Sequence, residues 1–242
     1  MTALLHTKDL AVGHRGRVLL RELGLVLNAG ELVALLGVNG IGKSTLLHTL
    51  TGALPALQGE VLLKGETLSR LHPRERAKRV SIVLTERATP ALLDLRTVVA
   101  LGRQPWTDAR GRLTSEDERV VDQAMAQAGV ADLAGRDLAH LSDGERQLVM
   151  VARALAQDTP LLLLDEPTAF LDVVNRARVL ALLRQLADGG RGVLFSTHDV
   201  AQALRLADRL LIAHADGTVW QGTVVEAREQ GALESAFGTA MQ

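Results

Sequence analysis

The chain has 242 residues, a formal net charge of -1, 47% hydrophobic and 23% charged residues, and no cysteine. That length supports a real core in one domain or two small lobes, and the near-neutral balance argues against a dedicated nucleic-acid binder. Disulfides, thiolate metal sites and thiol nucleophiles are excluded, and a reducing cytoplasm is compatible with this. No basic-then-apolar signal opens the chain and no apolar run reaches bilayer-spanning length, so a membrane role would need a partner to supply the span. Aromatics are 2% of residues, too few for stacking platforms along single-stranded nucleic acid.

Residues 4 to 36 read as short strands: Leu4 to Val12, Val18 to Leu20, Leu23 to Leu27 and Leu32 to Leu36. Gly13, Gly16 and the Asn28-Ala29-Gly30 turn separate them, which predicts an antiparallel flap feeding a central strand. His14 lies in the first turn. The run Leu32 to Leu36 leads into Gly37-Val38-Asn39-Gly40-Ile41-Gly42-Lys43-Ser44-Thr45, and a helix-forming run, Leu46 to Leu50, follows. In this strand, glycine turn, helix order, the turn amides and the first helical N–H groups converge on one point, where they favour an anion. Phosphate is the natural guest. Lys43 can reach terminal phosphate oxygens, Ser44 can take a position on Mg²⁺, and Gly37, Gly40 and Gly42 let backbone approach closely.

Farther along, Glu60 to Leu63 is a strand, Pro73 opens a short basic helix over Arg74 to Arg79, and Val80 to Leu84 is a buried strand. From Glu86 to about Gln157 helical periodicity takes over. Ser115 with Glu118, and Ser142 with Glu145, form capping-box patterns ahead of two helices. Strands resume at Leu161 to Leu164 and Val193 to Ser196, with helices at about Val173 to Ala187 and Val200 to Ala207. A hairpin then runs from Leu210 to Gln221 around Asp216-Gly217. The alternation implies an α/β fold: parallel βαβ units whose first and last parts share one sheet, with a helical lobe inserted.

The four leucines of Leu161 to Leu164 end in Asp165-Glu166, which places two carboxylates at the mouth of an α/β sheet. The first can hold Mg²⁺ through water; the second can orient an attacking water and accept its proton. Together with the phosphate loop, they predict nucleotide hydrolysis.

With these residues in place, the chain resembles an ABC-type ATPase over nearly its whole length. The resemblance implies a P-loop NTPase core formed by residues 1–85 and 158–242, a mostly parallel sheet with an antiparallel N-terminal flap, and an α-helical subdomain over 86–157. Leu141-Ser142-Asp143-Gly144-Glu145-Arg146-Gln147 looks like the family signature, in which Ser142 and Gly144 would face ATP held by a second copy. Asp143 stands where glycine is commoner. Phe170-Leu171-Asp172 matches the dimer-contacting D-loop, with Asp172 its acid. His198, after a strand, matches the switch histidine, and His14 stands where an aromatic ring usually meets adenine. Asn39 and Thr45 complete the phosphate loop. Where the family places its Q-loop glutamine, this chain has Thr85 and Glu86, so Thr85 is the candidate contact to a metal-bound water.

The stretch Val98 to Trp106, VVALGRQPW, is similar to importer ATPases for iron chelates, haem and cobalamin. That likeness implies ATP and Mg²⁺ as ligands, a head-to-tail pair of copies, integral-membrane permease subunits, and indirectly an extracytoplasmic substrate-binding protein. It places the chain in the cytoplasm, peripheral on the inner membrane face, with no nucleic acid expected. Competing readings are an ABC ATPase for another cargo, a soluble ABC protein acting on nucleic acid or the ribosome, and a non-hydrolysing regulatory binder. The single cassette, the lack of sustained heptads or a basic arm, and Glu166 weigh against the last two.

Overall fold

A computed structural model describes residues 3–85 and 93–238. Two sheets organise it. The first has the order β11-β10-β4-β9-β8-β7, built from β4 (Leu32–Leu36), β7 (Val80–Val83), β8 (Leu161–Leu164), β9 (Gly192–Thr197), β10 (Arg209–Ala213) and β11 (Val219–Thr223). All neighbours pair parallel except the β10–β11 hairpin. The first and last thirds of the chain therefore share one sheet, as the alternation predicts. The second sheet is antiparallel, with β1 (Ala3–His14) between β2 (Arg17–Leu23) and β5 (Gln58–Leu63); β3 (Val26–Asn28) also pairs with β1, and β6 (Glu66–Thr67) with β5.

Side-chain alternation along the parallel strands divides the interior in two. Leu32, Ala34, Leu36, Leu162, Leu164, Val193 and Phe195 face one core, shared with the long helices. Val33, Leu35, Leu161, Leu163 and Leu194 face another, shared with the antiparallel sheet and α1 (Lys43–Thr51). Strands buried on both faces must be apolar throughout, which is why LVALL and LLLL carry no alternation.

Between β7 and β8 lie α3 (Leu95–Ala100), α4 (Ser115–Gln127) and α5 (Asp143–Ala156); α2 (Pro73–Ala77) precedes β7. After β8 come α6 (Val173–Asp188), α7 (Val200–Leu206), α8 (Val224–Glu229) and α9 (Ala232–Phe237). Three boundaries correct the sequence reading. Leu23 ends β2, and the chain turns before β3 begins at Val26, because Thr7 Oγ1 donates to Leu23 O at 2.6 Å and accepts from Leu25 N at 2.8 Å. Helix α2 stops at Ala77 and does not reach Arg79. The capping box of α4 is Thr114 with Asp117, one residue earlier than Ser115 with Glu118: Thr114 donates to Asp117 Oδ2 at 2.7 Å and accepts from the Asp117 N–H at 3.2 Å. Both pairs satisfy the spacing rule; burial of Asp117 against Arg103 selects the former. Thr114→Ala is therefore expected to cost about 1 kcal/mol while Ser115→Ala is near neutral, a difference readable in thermal unfolding.

The helices after β7 are tied to α2 and β7 at one corner. Arg74 Nε donates to Pro105 O at 2.7 Å, and Gln157 Nε2 donates to Ala77 O at 2.6 Å and Val80 O at 3.1 Å. Trp106 Nε1 donates to Gln157 O at 2.8 Å, and its ring lies between Lys78 and Arg103, 5.0 and 5.1 Å from their charged groups. Beneath it, Arg103 is 5% exposed, donates to Asp117 Oδ1 at 2.9 Å and to Ala156 O at 2.8 Å. Gly102 admits this packing, since a Cβ there would lie 2.2 Å from Arg153 O.

Candidate functional site

Four adjacent strands, β4, β9, β8 and β7, end on the same side of the sheet, and each delivers part of one cleft. From β4 comes the glycine loop. Gly40 and Gly42 hold φ of 80° and 116°, conformations that a side chain resists, and Gly42 caps α1. Gly37 is needed for a different reason from the one its sequence context suggests: a Cβ there would meet Ile41 at 2.9 Å and Ala213 at 3.2 Å, so the close approach is to the protein itself. The cleft, about 340 Å³, is lined by Asn39, Gly40, Gly42, Lys43, Ser44, Thr45, Thr85, Asp165, Glu166 and Leu19. Its polar lining and size suit a phosphate chain with its waters.

Lys43 is 6% exposed and folds back over its own loop, donating to Gly37 O at 2.8 Å. Its ammonium lies 3.5 Å from Glu166 Oε1. Glu166 Oε2 meets His198 Nδ1 at 3.0 Å, so the carboxylate stands between the loop lysine and the histidine that follows β9. The Glu166 backbone is left-handed at φ 43°, a strained conformation for a residue with a side chain. What holds it is Ser196, fully buried in β9. Its hydroxyl accepts from Glu166 N at 2.8 Å and donates to Asp165 Oδ1 at 2.6 Å. Thr85 Oγ1 donates to Asp165 O at 2.8 Å. Sequence reasoning missed Ser196, although a buried-strand hydroxyl directly after the apolar run Val193 to Phe195 is a usable signal. Asp199 and Gln202, three residues apart, read in the sequence as a cap for the helix that follows, and the structure adds a second role for Gln202. Asp199 does cap α7 by accepting from Gln202 N at 2.9 Å, while the buried Gln202 side chain accepts from Thr197 Oγ1 at 3.4 Å and Thr168 Oγ1 at 3.3 Å.

Other candidates stand elsewhere. His14 is exposed at the β1–β2 turn, paired with Arg17, and does not line the cleft. Ser142 caps α5, its hydroxyl donating to Glu145 Oε2 at 2.7 Å; that bond, with the Ser142 backbone N–H, holds the Glu145 carboxyl below the usual range. Gly144 is buried against α6, since a Cβ would meet Asn175 Nδ2 at 2.4 Å. Asp172 caps α6 and accepts from Asn175 N and Nδ2, both at 2.8 Å, which lowers its carboxyl as well. The N-termini of α5 and α6 thus abut, with Ser142 and Asp172 exposed beside one another's helices and outside the cleft. Glu86 lies outside the described residues.

The ABC transporter family profile matches residues 20–169, the span from β2 through the glycine loop to the Asp165-Glu166 turn. The chain belongs to the ABC transporter family. Its ABC relatives include the iron(3+)-hydroxamate import ATP-binding protein of Bacillus subtilis, 34% identical over 234 residues, covering 96% of this chain and 87% of that protein. The hemin import ATP-binding protein of Streptomyces coelicolor is 40% identical over 222 residues, covering 92% and 79%. Among solved structures, an ATP-binding subunit of an ABC transporter superposes with a TM-score of 0.79 at 30% identity, covering 96% and 95%. This ABC chain is thus an ATP-binding subunit and an ATPase, and no helix among its described residues is long and apolar enough to cross a membrane.

Proposed function

We propose that this chain drives an importer for an iron chelate, haem or cobalamin-like cargo, acting as a head-to-tail pair beneath permease subunits on the inner membrane face. An extracytoplasmic binding protein would deliver the cargo. The importer class rests on the relatives named above, and the paired arrangement rests on one observation. The cleft gathers Lys43, Asp165 and Glu166, with His198 against Glu166, yet leaves the exposed Ser142 and Asp172 and the buried Gly144 between their helices outside it. A second copy would bring those residues to the phosphates of the first. In this reading residues 1–85 and 158–242 are the nucleotide-binding core and 86–157 the lobe that carries Ser142.

Within one cleft, Lys43 leaves Glu166 for the terminal phosphates, and the loop amides with Asn39, Ser44 and Thr45 seat the chain of phosphates. Glu166 takes a proton from the attacking water, while His198 orients the carboxylate. A Mg²⁺ ion fits the oxygen donors of Ser44 and Asp165, with Thr85 beside them; Asp165 keeps Oδ2 free of Ser196. Among the described residues no three acidic or histidine side chains could hold a metal by themselves, so phosphate oxygens and water would complete its shell. Bound there, Mg²⁺ neutralises developing phosphate charge.

Mixing tests the paired site. Lys43→Ala alone and Ser142→Ala alone are each expected to lose most ATPase activity, and a mixed pair regains one complete cleft and part of the turnover. Absence of recovery in pairs shown to form would overturn the shared-site reading.

A further inference from the structure

One face of α5, formed by Asp143, Arg146, Gln147 and Met150 at helical spacing, borders a crevice whose other wall includes Leu84, Thr85, Glu166 and Phe170. Two nitrogens on this face, Gln147 Nε2 and Arg146 Nε, are enclosed and have no hydrogen-bond partner among the described residues. Arg146 is otherwise engaged, since Nη2 donates to Leu141 O at 2.8 Å. The Gln147 amide nitrogen is not, and an enclosed donor without an acceptor is unfavourable unless another state of the protein employs it.

Glu166 presents the complementary need. Its Oε1 faces Lys43 at 3.5 Å, and Lys43 cannot serve both that oxygen and a terminal phosphate. When nucleotide draws the ammonium away, Oε1 loses its donor. Thr85, on the same wall, has its hydroxyl proton committed to Asp165 O.

We propose that Gln147 is a positioning residue for hydrolysis, its amide N–H groups replacing Lys43 against Glu166 once ATP is bound. This rests on Glu166 acting as the base. The Gln147 side chain touches neither phosphate nor water; it fixes the carboxylate that does.

The test is steady-state ATPase kinetics of Gln147→Met, which keeps the volume and removes the donors. The kcat is expected to fall roughly 10-fold to 10²-fold, the scale of misplacing a catalytic group, with KM for ATP and Tm unchanged. Gln147→Asn, whose donor is withdrawn by one methylene, is expected to fall between, and it reads the same effect if the Met variant does not fold. In a Glu166→Gln background, Gln147→Met is expected to add nothing further, because both act on one carboxylate. Wild-type kcat in Gln147→Met, or a loss that multiplies with that of Glu166→Gln, overturns the proposal. Near-normal turnover in Glu166→Gln alone would instead sink the base assignment, so the two failures are distinguishable.

Discussion

Glu166→Gln is expected to slow ATP turnover by roughly 10²-fold or more, the usual scale of lost general-base help, and to accumulate an ATP-bound dimer. The geometry makes the substitution a clean one. Glutamine keeps the length of the side chain and can still meet His198 and Lys43, which lie 3.0 and 3.5 Å from the two carboxylate oxygens. The strained φ of 43° is held by the Ser196 hydroxyl through the backbone N–H, so it survives the change. What disappears is the ability to accept a proton. Single-turnover rates with size-exclusion analysis in ATP would measure both effects, and near-normal turnover would remove Glu166 from the role.

The largest expected effect on stability lies far from the cleft. Arg103 and Asp117 are 5% and 4% exposed and paired at 2.9 Å, so Arg103→Met leaves a carboxylate enclosed with its counter-ion gone. Removing one partner of a buried pair costs about 3–5 kcal/mol, and the remaining bonds from Thr114 put this case near the lower figure. For a chain of this size about 3 kcal/mol corresponds to roughly 6–12 °C in Tm. Adding Asp117→Asn should recover part of the loss. Burial tends to raise the Asp117 carboxyl, but the Thr114 and Arg103 bonds outweigh it and leave it below the ordinary value. Its contribution is therefore present above the unfolded carboxylate range and fades as pH falls through the lowered folded value. In Arg103→Met the acid limb of the stability curve should move to higher pH.

The cleft was legible in the sequence because each of its parts sits at a strand end or on a glycine loop, where local spacing and three-dimensional position nearly coincide. Lys43, Asp165, Glu166 and His198 meet for that reason. Ser196 and the link from Gln202 to Thr168 were not read, because Glu166 and Thr168 lie 30 and 34 residues from them and only the parallel pairing of β8 with β9 brings them together. Similarly, the reasons for glycine at 37 and 144 belong to tertiary contacts with Ala213 and Asn175, which no local pattern announces. The α4 boundary slipped by one residue because two capping pairs compete there and burial decides. Helices α8 and α9 went unread since six residues each are too few to display a period.

The corner around Trp106 sets how forces travel. Gln157, directly after the last residue of α5, is fastened to the edge of the parallel sheet through Ala77 and Val80, whereas Ser142 sits at the opposite end of that helix. Fourteen residues make a rigid rod of about 21 Å. A tilt about the fastened end is consequently magnified along the rod: about 10° at the fulcrum sweeps the serine tip through roughly 4 Å, more than the reach of a hydrogen bond. Small displacements near Trp106 would thereby be converted into the make-or-break distance for the contact proposed between Ser142 and the phosphates of a second copy.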